Sequence, residues 1–268
     1  MYLAHWGIEQ SPFQAGPAAA GFYASPTHDE ALARLDYLVT AGRRLGVLLG
    51  SGGTGKTITL EAATRQFRQT GKCAVMLDAF GLQAREFYWQ LATGLGAAAQ
   101  PGDDVPRLWQ RIAGRLGENR LQKIDTVLLV DDAHHASPEV LTQITRLARI
   151  DSSTTGWTIV LAAHPANASQ WPDTLRHLID LRIDLVPWEA ADTVGFIQTA
   201  LIEAGRFEPA FSDDALAALH ELAGGVPRQV GRLANFAMLA GAAAGVDIID
   251  AETVRNAHAE CEHTVVSA

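Results

Sequence analysis

The stretch LGVLLGSGGTGKTITLEAATRQF, Leu45 to Phe67, passes from an apolar run into a loop of Gly, Ser and Thr, places one Lys, and resumes as an amphipathic helix. Its middle, Gly50 to Thr57, fits the phosphate-binding pattern G-x-x-x-x-G-K-[ST] in the strand-then-helix setting that the pattern requires. Glycine admits positive φ and lets the backbone approach an anion closely, so successive N–H groups can wrap phosphate oxygens. The loop therefore predicts ATP binding, with Gly50, Ser51, Gly52, Gly53, Thr54, Gly55, Lys56, Thr57 and Ile58 as the contacts. Lys56 would reach the β and γ phosphates, the Thr57 hydroxyl would ligate Mg²⁺, and the positive end of the helix would face the phosphates. A Gly-rich turn that happens to hold a lysine is the plain alternative, but it does not account for position, spacing and flanks together.

The rest of the chain sets the frame for this loop. Its 268 residues suffice for one large domain or two smaller ones. With 48% hydrophobic and 19% charged residues, the composition is that of a globular protein and excludes the disordered and fibrous classes. A formal net charge of -9 argues against sequence-blind nucleic-acid binding by the whole surface, while AGRRLG and RQFRQTGK supply local basic groups. The opening MYLAHWGIEQ has neither a basic n-region nor a long apolar core, so no secretory leader and a cytoplasmic location are expected. Two cysteines, Cys73 and Cys261, are too few for a disulfide framework or a thiolate metal site. The longest apolar tract, LANFAMLAGAAAGVDII from Leu233, contains Asn235 and Asp247 and falls short of the roughly 20 residues of a membrane span. It is expected to be a buried helix, with no span anywhere.

Four more β-rich runs follow the loop: KCAVMLDAF from Lys72, TVLLVDDAHH from Thr126, WTIVLAAHP from Trp157 and the weaker LIDLRIDLVP from Leu178. Helical patterning separates them, as in LWQRIAGRLGE and PEVLTQITRLARI, and such alternation predicts an α/β fold with a wound parallel five-stranded sheet. After Pro187 only helices are legible, with Ser212 as a cap, so residues 1–187 are expected to form the α/β core with its N-terminal lead-in and residues 188–268 a helical domain.

Asp131 and Asp132 close a strand run, which places two carboxylates at the sheet edge where wound sheets bind ligands. Asp131 could hold Mg²⁺ directly or through water, and Asp132 could orient or deprotonate the attacking water. The alternative is an acidic strand end that caps the helix near Ser137. His134 and His135 beside them favour no metal site, because adjacent side chains diverge and no second cluster at zinc spacing exists. His164, at the end of the next strand, could touch the γ phosphate or be merely hydrogen-bonded. Arg228, after a Gly-Gly turn, could report the bound nucleotide or be a surface arginine.

These motifs together resemble the AAA+ ATPases of the ExeA/GspA (general secretion pathway protein A) type, over nearly the whole chain. WGIEQSPFQAGP and FYASPTHDEALARL are similar to that family's lead-in, VLLVDDAHH to its acidic motif, LAAHP to its sensor strand, and FSDDALAALHELAGGVPRQVGRL to its sensor-two region. The resemblance implies a P-loop NTPase core with a C-terminal helical lid, Arg228 as the sensor-two arginine, and an arginine finger supplied by a neighbouring subunit. Arg182 is the finger candidate placed with the catalytic residues Lys56 and Asp132, and Arg176 is a second. The chain departs from the family at Asp132, where Glu is usual, at His164, where Gln is usual, and at Leu178, where an Arg is usual. The family's large peptidoglycan-binding extension and membrane span have no counterpart in the sequence.

By that resemblance the expected protein is a homo-oligomeric ATPase that uses MgATP to drive assembly or remodelling of a complex, with a protein partner in secretion or pilus biogenesis. It would be peripheral at the inner membrane only through such a partner. The alternative is an ATP-gated DNA-binding regulator of transposition, of the TniB/TnsC type, acting with a transposase and turning over little. A small-molecule kinase would share the loop but needs an acceptor pocket that neither the acidic pair nor Arg228 suggests.

Overall fold

Parallel strands covered on both faces must be apolar along their whole length, and the central runs meet that demand, whereas the edge run from Leu178 alternates and exposes Arg182 and Asp184. The computed structural model describes residues 2–13, 23–150 and 156–266, with side chains to residue 261; residues 14–17 and Phe22 of the N-terminal block lie outside them. The strands are β1 (Leu45–Gly50), β2 (Cys73–Asp78), β3 (Thr126–Asp131), β4 (Trp157–Ala163) and β5 (Leu181–Leu185). All neighbours pair in parallel, in the order β2-β3-β4-β1-β5. Helices α1 (Tyr2–Trp6) and α2 (Pro26–Thr40) precede β1, and α3 (Lys56–Gln69) joins β1 to β2. Then come α4 (Ala84–Gly94), α5 (Val105–Leu121), α6 (Pro138–Ala148), α7 (Pro165–Ala168) and α8 (Asp173–Arg176).

Alternate residues of each strand serve opposite layers. Leu128 and Val130 of β3 pack with Phe87, Leu108 and Ile144 from α4, α5 and α6. Val127 and Leu129 pack with Leu35 and Leu38 of α2 and Leu60 and Phe67 of α3. Each fully buried leucine contributes about 1.5–3 kcal/mol, so burial rather than strand propensity holds the sheet. The C-terminal edges of β1, β3 and β4 carry the loop, the acidic pair and His164, as the sequence pattern anticipated.

Two compact units divide the chain: His28–Leu185, and Met1–Thr27 together with Val186–Ala268. The second contains α1 and, after β5, α9 (Ala190–Glu203), α10 (Asp213–Ala223), α11 (Pro227–Ala244) and α12 (Ala251–Val266). Of the N-terminal lead-in, expected with the α/β core, the described residues 2–13 pack here instead, while α2 stays with the sheet. Trp6 is 1% exposed, its Nε1 donates to the Met238 carbonyl at 2.8 Å, and its ring lies against Gly241 of α11. An indole finds that combination of apolar slot and free acceptor beside α11, which explains the assignment.

The apolar tract from Leu233 is not one buried helix. α11 ends at Gly245, which has φ 70, and Ile249 then pairs with Phe211 in an isolated parallel bridge. Leu233, Ala234, Ala237 and Met238 are buried while Phe236 and Leu239 are exposed, so the helix is amphipathic. Ser212 stands at the N-cap of α10, but its hydroxyl faces the Ile249 carbonyl (3.0 Å) and the Asp214 carboxylate rather than the helix N–H groups. Among the described residues no helix is long and apolar enough to cross a membrane.

Candidate functional site

The loop between β1 and α3 is built from its own backbone. Gly53 and Gly55 take φ 85 and φ 98, in the left-handed region that a side chain disfavours. The buried Thr54 hydroxyl donates to the Ser51 carbonyl at 3.0 Å and tightens the turn. Lys56 is 9% exposed and donates from Nζ to the carbonyls of Gly50 (2.9 Å) and Ser51 (3.0 Å), so its cation is folded into the loop. Gly52, Thr57 and Ile58 lie on the exposed side. Side chains cap α5 and α6 through Asp104 and Ser137, and capping boxes close α4 and α9. No side chain caps α3, as none caps α10 or α11, and its first turn follows the loop directly.

Asp131 meets this loop across 74 residues of sequence: Thr57 Oγ1 donates to Asp131 Oδ2 at 2.6 Å. Asp131 Oδ1 accepts from the Asp132 N–H at 2.9 Å. Burial pushes the Asp131 carboxyl above its ordinary range, the Thr57 and Asp132 hydrogen bonds oppose that, and the like charges of Asp132 and Asp78 add to it. Asp78 stands beside Asp131 in register at the end of β2, a third carboxylate that the sequence reading passed over although LDAF ends a strand run in the same way. A buried carboxylate and a hydroxyl, both hard oxygen donors beside an uncapped helix start, fit a Mg²⁺ ion.

Asp132 sits at φ 45, ψ 35, the left-handed conformation, at the entry to a 3₁₀ turn over Ala133–His135. Non-glycine residues held there cluster at functional sites, and Asp is among those that tolerate it. Its carboxylate is 3.8 Å from His134 Nδ1. Burial and then His135 lower the basicity of His134; Asp132 raises it, and Lys56 and His164 lower it further. His164 is the N-cap of α7, its Nδ1 accepting from the Ala166 N–H at 3.3 Å, which leaves Nε2 to carry the proton.

The remaining candidates lie on other elements. Leu178 packs against the core, so a side chain at that position serves packing. Arg176 pairs with Asp173 on α8, and Arg182, exposed on the edge strand β5, is held by Asp184 at 2.8 Å. Arg228 is the exposed second residue of α11, in the helical unit, behind a turn in which Gly224 and Gly225 take φ 58 and φ 66. His28, which sequence reading left inside its lead-in block, contacts the Thr54 carbonyl from α2 at 3.1 Å.

Residues 39–171 match the AAA domain family. In sequence the chain is 29% identical over 250 residues to general secretion pathway protein A of Aeromonas hydrophila. That match covers 91% of this chain and 46% of the relative, so the chain spans about half the relative's length. In structure it is similar to Cdc6p from Pyrobaculum aerophilum, with TM-score 0.73 at 19% identity over 93% of this chain and 70% of that one. It is similar also to Drosophila ORC bound to DNA, with TM-score 0.68 at 17% identity over 94% and 66%.

Proposed function

From its AAA+ P-loop fold, and from the AAA domain matched over residues 39–171, we propose that this chain binds MgATP at the β1–α3 loop and hydrolyses it to drive assembly or remodelling of a macromolecular complex. The observation that carries the reading is the Thr57–Asp131 hydrogen bond, which brings the two expected Mg²⁺ ligands together at an uncapped helix start. Mg²⁺ held there would neutralise charge on the β and γ phosphate oxygens. The loop N–H groups and Lys56 bind and orient the phosphates. Asp132 positions a water in line with the γ phosphorus and takes its proton as the bond to the ADP oxygen breaks. His164 contacts the γ phosphate, Arg228 reports nucleotide state, and Arg182, released from Asp184, completes the site of a neighbouring copy. The similarity to general secretion pathway protein A supports a partner in secretion.

Calorimetry with MgATP and phosphate release measured against protein concentration test this reading. The expected result is binding, with turnover per chain that rises as copies associate. Lys56→Ala should lose roughly 1.5–3 kcal/mol of a charge-assisted contact, about tenfold or more in affinity. Unchanged affinity in that variant removes the loop assignment. Binding with assembly on DNA and negligible turnover would turn the function toward an ATP-gated DNA regulator.

A further inference from the structure

We propose that His28 is a positioning residue of the phosphate loop: from α2 it fixes the Thr54–Gly55 peptide so that the Gly55 N–H is aimed at the phosphate chain. The inference rests on reading the loop as a nucleotide cradle. His28 lies in the first turn of α2 and is 4% exposed, and its Nε2 is 3.1 Å from the Thr54 carbonyl oxygen. A carbonyl only accepts, so Nε2 carries a proton and the contact is a donor clamp from helix to loop. The peptide is trans, and in a trans peptide C=O and N–H point to opposite sides. A Thr54 carbonyl held toward α2 therefore turns the Gly55 N–H away from α2.

The same ring explains the residue at position 55. Gly55 has φ 98, and a Cβ there would collide with His28 Nε2, so both backbone and neighbour demand glycine. The clamp has a rigid base, because Ala31, Leu35 and Leu38 of α2 are sealed against the sheet. Without the donor, a peptide beside a glycine can rotate at little cost and present the Thr54 carbonyl oxygen to the phosphates. That oxygen repels where the N–H would bind.

His28→Gln and His28→Met test the clamp, since the two side chains are nearly isosteric and only Gln keeps an N–H donor at the reach of Nε2. His28→Met should weaken MgADP and MgATP alike by roughly three- to tenfold, the worth of one hydrogen bond, while His28→Gln stays within about twofold of the parent. The melting temperatures of the two nucleotide-free variants should agree, which separates positioning from mere packing. If His28→Met does not fold, His28→Asn, whose amide is too short to reach Thr54, takes its place with the same expectation. Equal affinities for the donor and non-donor variants overturn the proposal, whether both match the parent or both are weak. Should the parent bind no nucleotide, the proposed function falls while the clamp is still decided by the Gly55 amide resonance of the free protein. A shift in His28→Met but not in His28→Gln supports it, and an unmoved resonance in His28→Met overturns it.

Discussion

Lys56 Nζ donates to the carbonyls of Gly50 and Ser51, which fixes the ammonium within the loop. Asp131, by contrast, is a carboxylate that burial makes costly to ionise. A carboxyl whose pKa is raised on folding keeps its proton longer in the folded chain than in the unfolded one, and stability falls as pH rises through the folded value. Asp131→Asn removes that cost and keeps an acceptor for Thr57, while its NH2 faces the Asp132 N–H where an acceptor stood. Relative to the parent, the nucleotide-free variant should gain stability as pH rises from about 4 to 7, and it should lose Mg²⁺-dependent nucleotide affinity. Calorimetric melting at several pH values, followed by titration with MgATP, checks both halves. At this scale the loop was legible because its chemistry is contiguous in sequence. The Thr57–Asp131 pair was legible only by way of the fold, and His28 was not legible at all, since a histidine on an amphipathic helix carries no mark of the carbonyl it will meet.

The strands were readable as elements because a buried parallel strand has to be a short, wholly apolar run between helices. The lead-in shows where such reading stops: apolar residues near Trp6 announce burial without naming the surface that provides it. α11 supplies that surface, with an apolar slot and the Met238 carbonyl. Trp6→Ala should therefore cost about 3–5 kcal/mol in stability of the helical unit, by thermal or denaturant melting. MgADP affinity at the β1–α3 loop should stay near that of the parent. A loss of nucleotide affinity without loss of stability would return the lead-in to the α/β core. The tract from Leu233 teaches the same lesson in reverse, since Gly245 ends its helix where composition alone suggested continuity.

For the whole molecule, nucleotide can shift a conformational or assembly equilibrium only by binding its states with different affinity. Arg228, exposed at the start of α11 in a unit separate from the loop, is the residue proposed to make that difference. Arg228→Ala should leave ADP binding nearly intact and weaken both the preference for ATP and ATP-induced assembly, by light scattering with a non-hydrolysable analogue. Wild-type assembly in the variant would make Arg228 a surface residue. By itself the sequence determined the α/β class, the five strands, the Gly-rich loop between β1 and α3 and the acidic strand end, because periodicity and motif spacing are local and act on residues near one another in the chain. Only the tertiary structure decided that Trp6 serves the helical unit, that Asp132 turns left-handed, that Asp78 stands beside Asp131, and that His28 lies behind Thr54. Each of these depends on which distant backbone group or cavity a side chain meets, and that pairing is settled when the layers pack.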